Sequence, residues 1–188
     1  MEENVILRVI SGSAKGHKLK TINGFSTRPT TDRVKESVFN ILAGVIAKSR
    51  VLDLYSGTGS LGIESLSRGA DFALFVDKSR ECFMTIKQNL SHTKLSEKSS
   101  IMNMDVFVAL DKLSKENRKF DIIFLDPPYN KNLVEETLKC LVENDIIEQD
   151  GIVIVEHDLK DEVPQEVEHF KKIRHQKYGD TIISFYEA

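Results

Sequence analysis

The sequence Asp53-Leu54-Tyr55-Ser56-Gly57-Thr58-Gly59-Ser60-Leu61-Gly62 joins an apolar run to a helical pattern through closely spaced glycines. Residues 50–55 form a predicted β-strand, and Leu61, Ile63 and Leu66 predict a helix directly after the turn. The glycines match the pattern G-x-G-x-x-G, which permits a tight turn and the close approach of a bound molecule. On its own this pattern suits a dinucleotide or any other ligand that contains adenosine.

Strand and helix patterns alternate along the rest of the chain. The predicted strands lie at residues 72–77, 100–104, 120–125 and 151–156, and the predicted helices at about 79–90, 106–115 and 133–142. Two more strand-like runs, 170–177 and 181–187, are separated by the hairpin signal Gly179-Asp180. This order predicts an α/β fold with a mainly parallel sheet of about seven strands and a C-terminal antiparallel hairpin.

The N-terminal part has a different pattern. Residues 5–10 and 17–20 predict short strands around glycine turns, which together form a β-hairpin. Residues 27–31 predict a loop, and Thr30 or Thr31 is expected to cap the helix that follows. The apolar stripe of that helix is Val34, Val38, Ile41, Leu42 and Val45. We predict one domain over residues 1–188, with a basic hairpin extension (1–30) before a helix and the α/β core (31–188).

Composition restricts the class of protein. The chain has 188 residues, of which 40% are hydrophobic and 29% charged, as in a globular domain with a substantial core. The sequence lacks an apolar run of the length that a membrane span needs, and its start lacks the pattern of a secretory signal. With only Cys82 and Cys140, no disulfide framework is expected, which favours a reducing cytoplasm.

The charge distribution is uneven. Between Arg8 and Lys35 the chain carries seven basic residues and one acid, a net charge of +6, although the whole chain has a net charge of −3. A basic end on an acidic body indicates a polyanionic partner such as nucleic acid. A solvated face that keeps the domain soluble is the alternative, and charge alone does not choose between them.

Four acids lie in or after the predicted parallel strands: Asp53, Asp77, Asp105 and Asp126. In an open α/β sheet, ligands bind at the carboxyl ends of the strands, so these carboxylates are expected in one site. Asp77 lies where an acid would bond a ribose hydroxyl. A carboxylate at Asp53 is costly in an apolar strand unless a cation or hydrogen bond meets it, and it would repel a pyrophosphate. The ammonium of S-adenosylmethionine suits it better.

The segment Asp126-Pro127-Pro128-Tyr129 follows the most apolar strand. Its prolines stiffen the loop, which could then present Asp126, the Pro127 carbonyl and the Tyr129 ring at fixed angles. Methylation of an exocyclic base amine requires such an arrangement. Acceptors on the amine orient it and stabilise the positive charge that develops, and an aromatic ring stacks on the unstacked base.

These segments resemble a known family. The glycine turn together with Asp126-Pro127-Pro128-Tyr129 is similar to the Rossmann-like, S-adenosylmethionine-dependent amino-methyltransferases. Arg8-Val9-Ile10-Ser11-Gly12, Arg28-Pro29-Thr30-Thr31-Asp32-Arg33-Val34-Lys35-Glu36 and Ser67-Arg68-Gly69-Ala70 narrow the resemblance to the RsmD type. That family methylates N2 of a guanine in bacterial small-subunit ribosomal RNA. The resemblance extends over nearly the whole chain, with Ser11 as a minor departure.

The resemblance implies roles for individual residues. The cofactor site would comprise Asp53, Gly57, Thr58, Gly59, Asp77, Asp105 and Asp126, with Asp77 on the ribose and Asp105 on the adenine amine. The catalytic residues would be Asp126, Pro127 and Tyr129, which hold the guanine. The hairpin and residues 28–35 would contact RNA or close over the cofactor, and the RNA-binding candidates are Arg8, Lys15, Lys18, Arg28 and Arg33. No metal is expected.

Three other functions are compatible with parts of the sequence. A DNA adenine-N6 methyltransferase uses the same chemistry but usually needs a larger recognition region. An NAD-dependent oxidoreductase is disfavoured by Asp53 and by the lack of a recognisable catalytic relay, and a non-catalytic RNA-binding module is a third possibility. The expected partner is small-subunit ribosomal RNA or a partly assembled subunit, and the expected state is a monomer. His157 is expected to be structural, and Cys82 and Cys140 buried and inert.

Overall fold

A computed structural model describes residues 7–22, 32–128 and 133–187. Its helices are α1 (Asp32–Ile41), α2 (Ser60–Ser67), α3 (Arg80–Thr93), α4 (Val106–Lys115) and α5 (Leu133–Glu143). Its strands are β1 (Arg50–Leu54), β2 (Phe72–Val76), β3 (Ser99–Met102), β4 (Phe120–Leu125), β5 (Ile147–Asp158), β6 (Glu166–Val167), β7 (Phe170–Tyr178) and β8 (Thr181–Glu187). Short 3₁₀ turns lie at Leu42–Gly44 and Ser96–Lys98.

The strands form one eight-stranded sheet in the order β3-β2-β1-β4-β5-β8-β7-β6. The five strands from β3 to β5 run parallel, and β8, β7 and β6 continue the sheet in antiparallel register. The predicted α/β fold with its C-terminal antiparallel hairpin is confirmed. The eighth strand, β6, has two residues, too few to give a sequence pattern. Chain order reverses between β1 and β4, and a ligand site is expected at this switch point.

Helices cover both faces of the sheet. Alternate residues of the parallel strands face opposite sides: Val51 and Phe75 pack with α1, α2 and α3, whereas Leu52 and Leu74 pack with α4 and α5. Because both faces are covered, the central strands are apolar throughout instead of alternating with polar residues. The parallel strands are therefore held rigidly, which fixes the positions of the side chains at their ends.

Residues 7–22 form the hairpin that the sequence predicts. Arg8 and Lys18 make its antiparallel bridge, and the N–H of Leu19 donates to the carbonyl of Leu7 at 2.8 Å. Leu7, Val9 and Leu19 are buried in the core that contains α1, α2 and α3. At Gly12 a Cβ atom would lie 1.8 Å from the backbone oxygen of Ser67, so only glycine permits this approach. We call residues 7–22 the N-terminal hairpin.

Some predicted boundaries differ from the structure. Helix α1 gives way to a 3₁₀ turn at Leu42, so the stripe ends there and Val45 is 49% exposed, contrary to prediction. The predicted cap at Thr30 or Thr31 lies outside the described residues. Strand β5 begins earlier than predicted because its pairing with β4 continues through an irregular register between Phe120 and Ile122. Within the described part of the chain, the helices are too short or too polar to cross a membrane.

Candidate functional site

A cavity of about 410 Å³ lies at the carboxyl ends of the parallel strands. It brings together all four acids that the sequence predicts for one site, namely Asp53, Asp77, Asp105 and Asp126. The glycine turn after β1 and the N-terminal hairpin contribute two further walls, the hairpin through Leu7, Thr21 and Ile22. Residues far apart in the chain thus converge at the switch point of the sheet.

The glycine turn has the backbone conformation that its sequence predicts. Gly57 and Gly59 have φ angles of 54° and 78°, in the left-handed region that favours glycine. Gly57, Thr58 and Ser60 line the cavity, whereas Gly59, the N-cap residue of α2, does not line it. Ser56 fixes the base of the turn, because its hydroxyl accepts the N–H of Val76 on the neighbouring strand at 2.9 Å. The glycine conformations and this bond therefore define the shape of the turn.

Asp53 is the most deeply buried acid of the cavity, with 3% of its surface exposed. One carboxylate oxygen accepts the N–H of Gly62 at 2.9 Å. Burial raises the pKa of Asp53 to about 8, although the Gly62 bond opposes the rise and the charge of Asp77 adds to it. At neutral pH the side chain is therefore mostly protonated, and a cation bound in the cavity would stabilise its ionised form.

Asp77 and Asp105 both bond backbone N–H groups. The carboxylate of Asp77 accepts from Gly57 at 2.9 Å and from Ser79 at 2.8 Å, so it connects the end of β2 to the glycine turn. Asp105 caps α4 by accepting the N–H of Phe107 at 3.0 Å. A carboxylate has about four acceptor positions, which leaves capacity on each for hydroxyl or amine donors of a ligand.

Asp126 follows the central strand β4 and faces the same cavity. Burial, followed by the charges of Glu156 and Asp53, raises the pKa of Asp126 well above its ordinary value. Pro127 is buried without lining the cavity, and Pro128 lines it. Tyr129 lies outside the described residues, so its predicted role and that of the Pro127 carbonyl remain predictions.

Glu156, the last residue of the predicted strand 151–156, is an acid that was not predicted for the site. Its neighbour Val155 pairs with Leu125, so Glu156 on β5 lies next to Asp126, which directly follows β4. It is 5% exposed. The signal available in the sequence was its position one residue after the apolar run of β5, equivalent to that of Asp126 after β4.

The predicted RNA-binding residues are distributed over an exposed surface. Lys15, Lys18 and Arg33 are exposed, and Arg8 is exposed with its guanidinium 2.7 Å from Asp32. Arg28 lies outside the described residues. Lys35, which the prediction included in a segment that contacts RNA or closes over the cofactor, is fully buried and does not line the cavity. It is buried because its ammonium pairs with the equally buried Glu64 at 3.5 Å.

The predicted structural role of His157 agrees with its contacts. Its ring is buried, and Nε2 lies 2.9 Å from the hydroxyl of Ser184. Burial lowers the pKa of His157, which favours its neutral form. Cys82 is buried and Cys140 half-buried, and both are free thiols whose pKa is raised by burial.

Comparison with known proteins tests the resemblance. The family model described as "Conserved hypothetical protein 95" matches residues 7–187. "Putative rRNA methyltransferase YlbH" of Bacillus subtilis is 41% identical over 181 residues, covering 96% of this chain and 98% of the relative. "Ribosomal RNA small subunit methyltransferase D" of Escherichia coli is 31% identical over 181 residues, covering 96% and 89%.

This chain belongs to the RsmD family.

Solved structures agree with this assignment. "Putative methyltransferase yhhF from Escherichia coli" has a TM-score of 0.83 and 31% identity, covering 96% of each chain. An RNA methyltransferase from Salinibacter ruber in complex with S-adenosylhomocysteine has a TM-score of 0.66 at 14% identity, covering 85% of this chain and 92% of its own; this likeness concerns the fold alone. The prediction of a Rossmann-like methyltransferase fold for this RsmD-family chain is confirmed.

Proposed function

We propose that this RsmD-family protein transfers a methyl group from S-adenosylmethionine to the exocyclic N2 amine of a guanine in small-subunit ribosomal RNA. The observation that carries the proposal is one cavity in which the buried Asp53, the glycine turn, Asp126 and Pro128 meet. Family membership supports methyl transfer to ribosomal RNA. The choice of guanine N2 rests on the resemblance and on the amine-orienting character of the Asp-Pro-Pro-Tyr segment.

The cavity fits S-adenosylmethionine in size and in the chemistry of its walls. A volume of about 410 Å³ lies within the range of small-molecule and cofactor sites. The acids at the strand ends are acceptors suited to hydroxyl and amine donors and to a positive charge. The predicted cofactor agrees with the methyltransferase relatives and with structural neighbours that contain S-adenosylhomocysteine. When bound, S-adenosylmethionine supplies a methyl group activated by a positively charged sulfur.

Individual residues would hold defined parts of the cofactor. Asp53 and the glycine turn would hold the methionine half, since the buried carboxyl gains a counter-ion there. Asp77 would accept the ribose hydroxyls, and Asp105 the adenine amine. An acid at the position of Asp53 argues against a dinucleotide, because a pyrophosphate would offer that buried carboxyl no counter-ion.

Asp126 would accept a hydrogen bond from the guanine amine and fix its orientation. The amine nitrogen forms a bond to the methyl carbon while the carbon–sulfur bond breaks, and one proton then leaves the nitrogen. Burial, followed by the charges of Glu156 and Asp53, raises the pKa of Asp126, and this favours acceptance of that proton. The proton passes either to Asp126 or to solvent, which a pH profile of an Asp126→Asn variant distinguishes. The Pro127 carbonyl and the Tyr129 ring would complete the guanine site.

The substrate would approach across the basic N-terminal surface. Arg8, Lys15, Lys18 and Arg33 are exposed there and would contact phosphates, together with Arg28. Naked RNA and a partly assembled small subunit are both compatible with this surface. We also propose that the protein is a monomer in the reducing cytoplasm.

The test combines ligand binding with product analysis. S-adenosylhomocysteine should raise the melting temperature, whereas NAD should leave it unchanged; stabilisation by NAD alone would contradict the proposal. Tritiated methyl groups should then be transferred to ribosomal RNA or small subunits from a strain that lacks the protein. Nucleoside analysis should recover N2-methylguanine, and N6-methyladenine would instead identify an adenine methyltransferase.

A further inference from the structure

Asn89 connects two walls of the cavity that come from distant parts of the chain. It lies on α3 and is 2% exposed. Its side-chain oxygen accepts the N–H of Lys20 at 2.7 Å, and its side-chain nitrogen donates to the carbonyl of Lys20 at 3.1 Å. The same nitrogen donates to the carbonyl of Thr58 at 3.0 Å. One amide therefore bonds both backbone groups of Lys20 and ties them to the glycine turn.

Both partners of Asn89 adjoin the cavity. Thr58 lines it, and Lys20 directly precedes Thr21 and Ile22, which line it from the hairpin side. Helix α3 also supports the turn through Ile86, since a Cβ atom at Gly59 would lie 3.2 Å from the Ile86 side chain. Ile86 and Asn89 are three residues apart, so they share one face of the helix. That face contacts the glycine turn through an apolar group and a polar one.

The other end of the hairpin has an attachment of its own. Glu64 accepts the N–H groups of Ile10 and Ser11 at 2.8 and 3.0 Å, and the Ser67 hydroxyl accepts the N–H of Ala14 at 2.9 Å. A loss of Asn89 would leave these contacts intact. Its effect should therefore be confined to the cavity side of the hairpin, around residues 20–22.

We infer that Asn89 is a positioning residue for the cofactor, holding residues 20–22 against the glycine turn so that the hairpin forms a fixed wall of the cofactor cavity. This inference rests on the proposed function. Its physical basis is that three part-buried hydrogen bonds of one amide join the two segments: without them, the backbone groups of Lys20 and Thr58 would bond water and the segments would separate. On binding, the cofactor would then have to order residues 20–22 against the glycine turn, and this cost would lower the affinity of the protein for the cofactor.

The direct test is the affinity for S-adenosylhomocysteine, measured by calorimetry for the unaltered protein, Asn89→Ala and Thr93→Val. Thr93 is a matched control, because it is buried on the same helix and its hydroxyl bonds only the carbonyls of Asn89 and Leu90 among its described contacts. We expect the dissociation constant to rise about tenfold in Asn89→Ala, and less than twofold in Thr93→Val. Equal changes in the two variants would overturn the inference.

Kinetics and hydrogen exchange give independent readouts. Asn89→Ala should raise KM for S-adenosylmethionine and leave kcat nearly unchanged, whereas a general loss of structure would lower kcat as well. Without ligand, the amide of Lys20 in the unaltered protein should exchange about as slowly as that of Ser11, because Asn89 holds the first and Glu64 holds the second. Rapid exchange at Lys20 beside slow exchange at Ser11 would contradict the inference even if Asn89→Ala failed to fold. Lack of ligand binding by the unaltered protein would instead contradict the proposed function.

Discussion

Two groups of ionisable residues at α2, one around Glu64 and one around Asp53, differ in how their charge is compensated. In the first group, the Glu64 carboxylate meets Lys35 at 3.5 Å, Arg68 at 2.8 Å and two backbone N–H groups of the hairpin. In the second group, the Asp53 carboxylate accepts the Gly62 N–H, and the acids Asp126 and Glu156 lie nearby. We call these the Glu64 cluster and the Asp53 cluster.

This difference indicates that the Glu64 cluster stabilises the fold and that the Asp53 cluster belongs to a functional site. The Glu64 cluster contains its own cations, so it connects the hairpin, α1 and α2 into one folded unit. In the Asp53 cluster, burial and neighbouring acids raise the pKa values of Asp53 and Asp126. Proteins rarely retain such an arrangement in a core, since it costs stability, and perturbed carboxyl groups in a cleft are typical of functional sites. A ligand that brings a positive charge would compensate it.

The largest effect should come from the Glu64 cluster. Glu64→Ala leaves the fully buried Lys35 without its carboxylate partner and two hairpin N–H groups without their acceptor. We therefore expect the free energy of unfolding to fall by about 3–5 kcal/mol. Urea denaturation measures this. Glu135→Ala removes an exposed carboxylate paired with Lys139 and should change stability by less than about 0.5 kcal/mol. Similar losses in both variants would show that the Glu64 cluster is not a structural connection.

In the Asp53 cluster, Asp126→Asn should impair catalysis and spare the fold. The variant loses the acceptor that orients the amine, and we expect kcat to fall by about 10²–10³-fold. The affinity for S-adenosylhomocysteine should change little, because the amine is not part of the cofactor. Asp111→Asn, an exposed acid on α4, serves as the control. Full activity of Asp126→Asn in a single-turnover assay would remove Asp126 from the reaction.

The pH dependence of binding tests whether Asp53 receives a cation. Below a pKa of about 8 the free protein holds a proton on Asp53, and a bound ammonium favours the ionised form, so binding releases that proton. Affinity for S-adenosylhomocysteine should therefore rise with pH, by up to about tenfold per unit, and level off above pH 8. Calorimetry in buffers of different ionisation enthalpy measures the release. In Asp53→Asn the pH dependence from this group should disappear, and an unchanged dependence would contradict the assignment.

The same group predicts how stability changes with pH when no ligand is present. Because the folded-state pKa of Asp53 is raised above its unfolded value of about 3.9, the folded protein binds more protons than the unfolded one between these values. The contribution of Asp53 to stability is therefore present at low pH and is lost as pH rises toward 8. Asp53→Asn should have a melting temperature a few degrees above that of the unaltered protein at pH 8. A lower melting temperature would show that the carboxylate is compensated within the protein.

The sequence predicts the Asp53 cluster better than the Glu64 cluster, for a physical reason. Parallel strands end at one edge of the sheet, so the acid near the end of β1 and the acids after β2, β3 and β4 could be placed together from local patterns alone. Glu64 bonds Ile10, which is 54 positions away in the chain, and Asn89 bonds Lys20, which is 69 positions away. No local pattern encodes those contacts. The burial of Lys35 could not be predicted for the same reason, because it depends on Glu64. Glu156 was missed since it becomes informative only once β5 is known to lie beside β4.

Cations outside both clusters should have the smallest effect, limited to RNA binding. Lys15→Glu together with Lys18→Glu changes two exposed side chains of the N-terminal hairpin. Loss of two phosphate contacts should weaken RNA binding about tenfold at 0.1 M salt and lower the salt slope by about 1.5, with cofactor affinity unchanged. Lys112→Glu with Lys115→Glu makes the same charge change on α4, which packs against the opposite face of the sheet. If both double variants change the salt slope equally, the effect depends only on net charge. If only the hairpin variant changes it, the RNA binds on the side of the sheet that contains the Glu64 cluster.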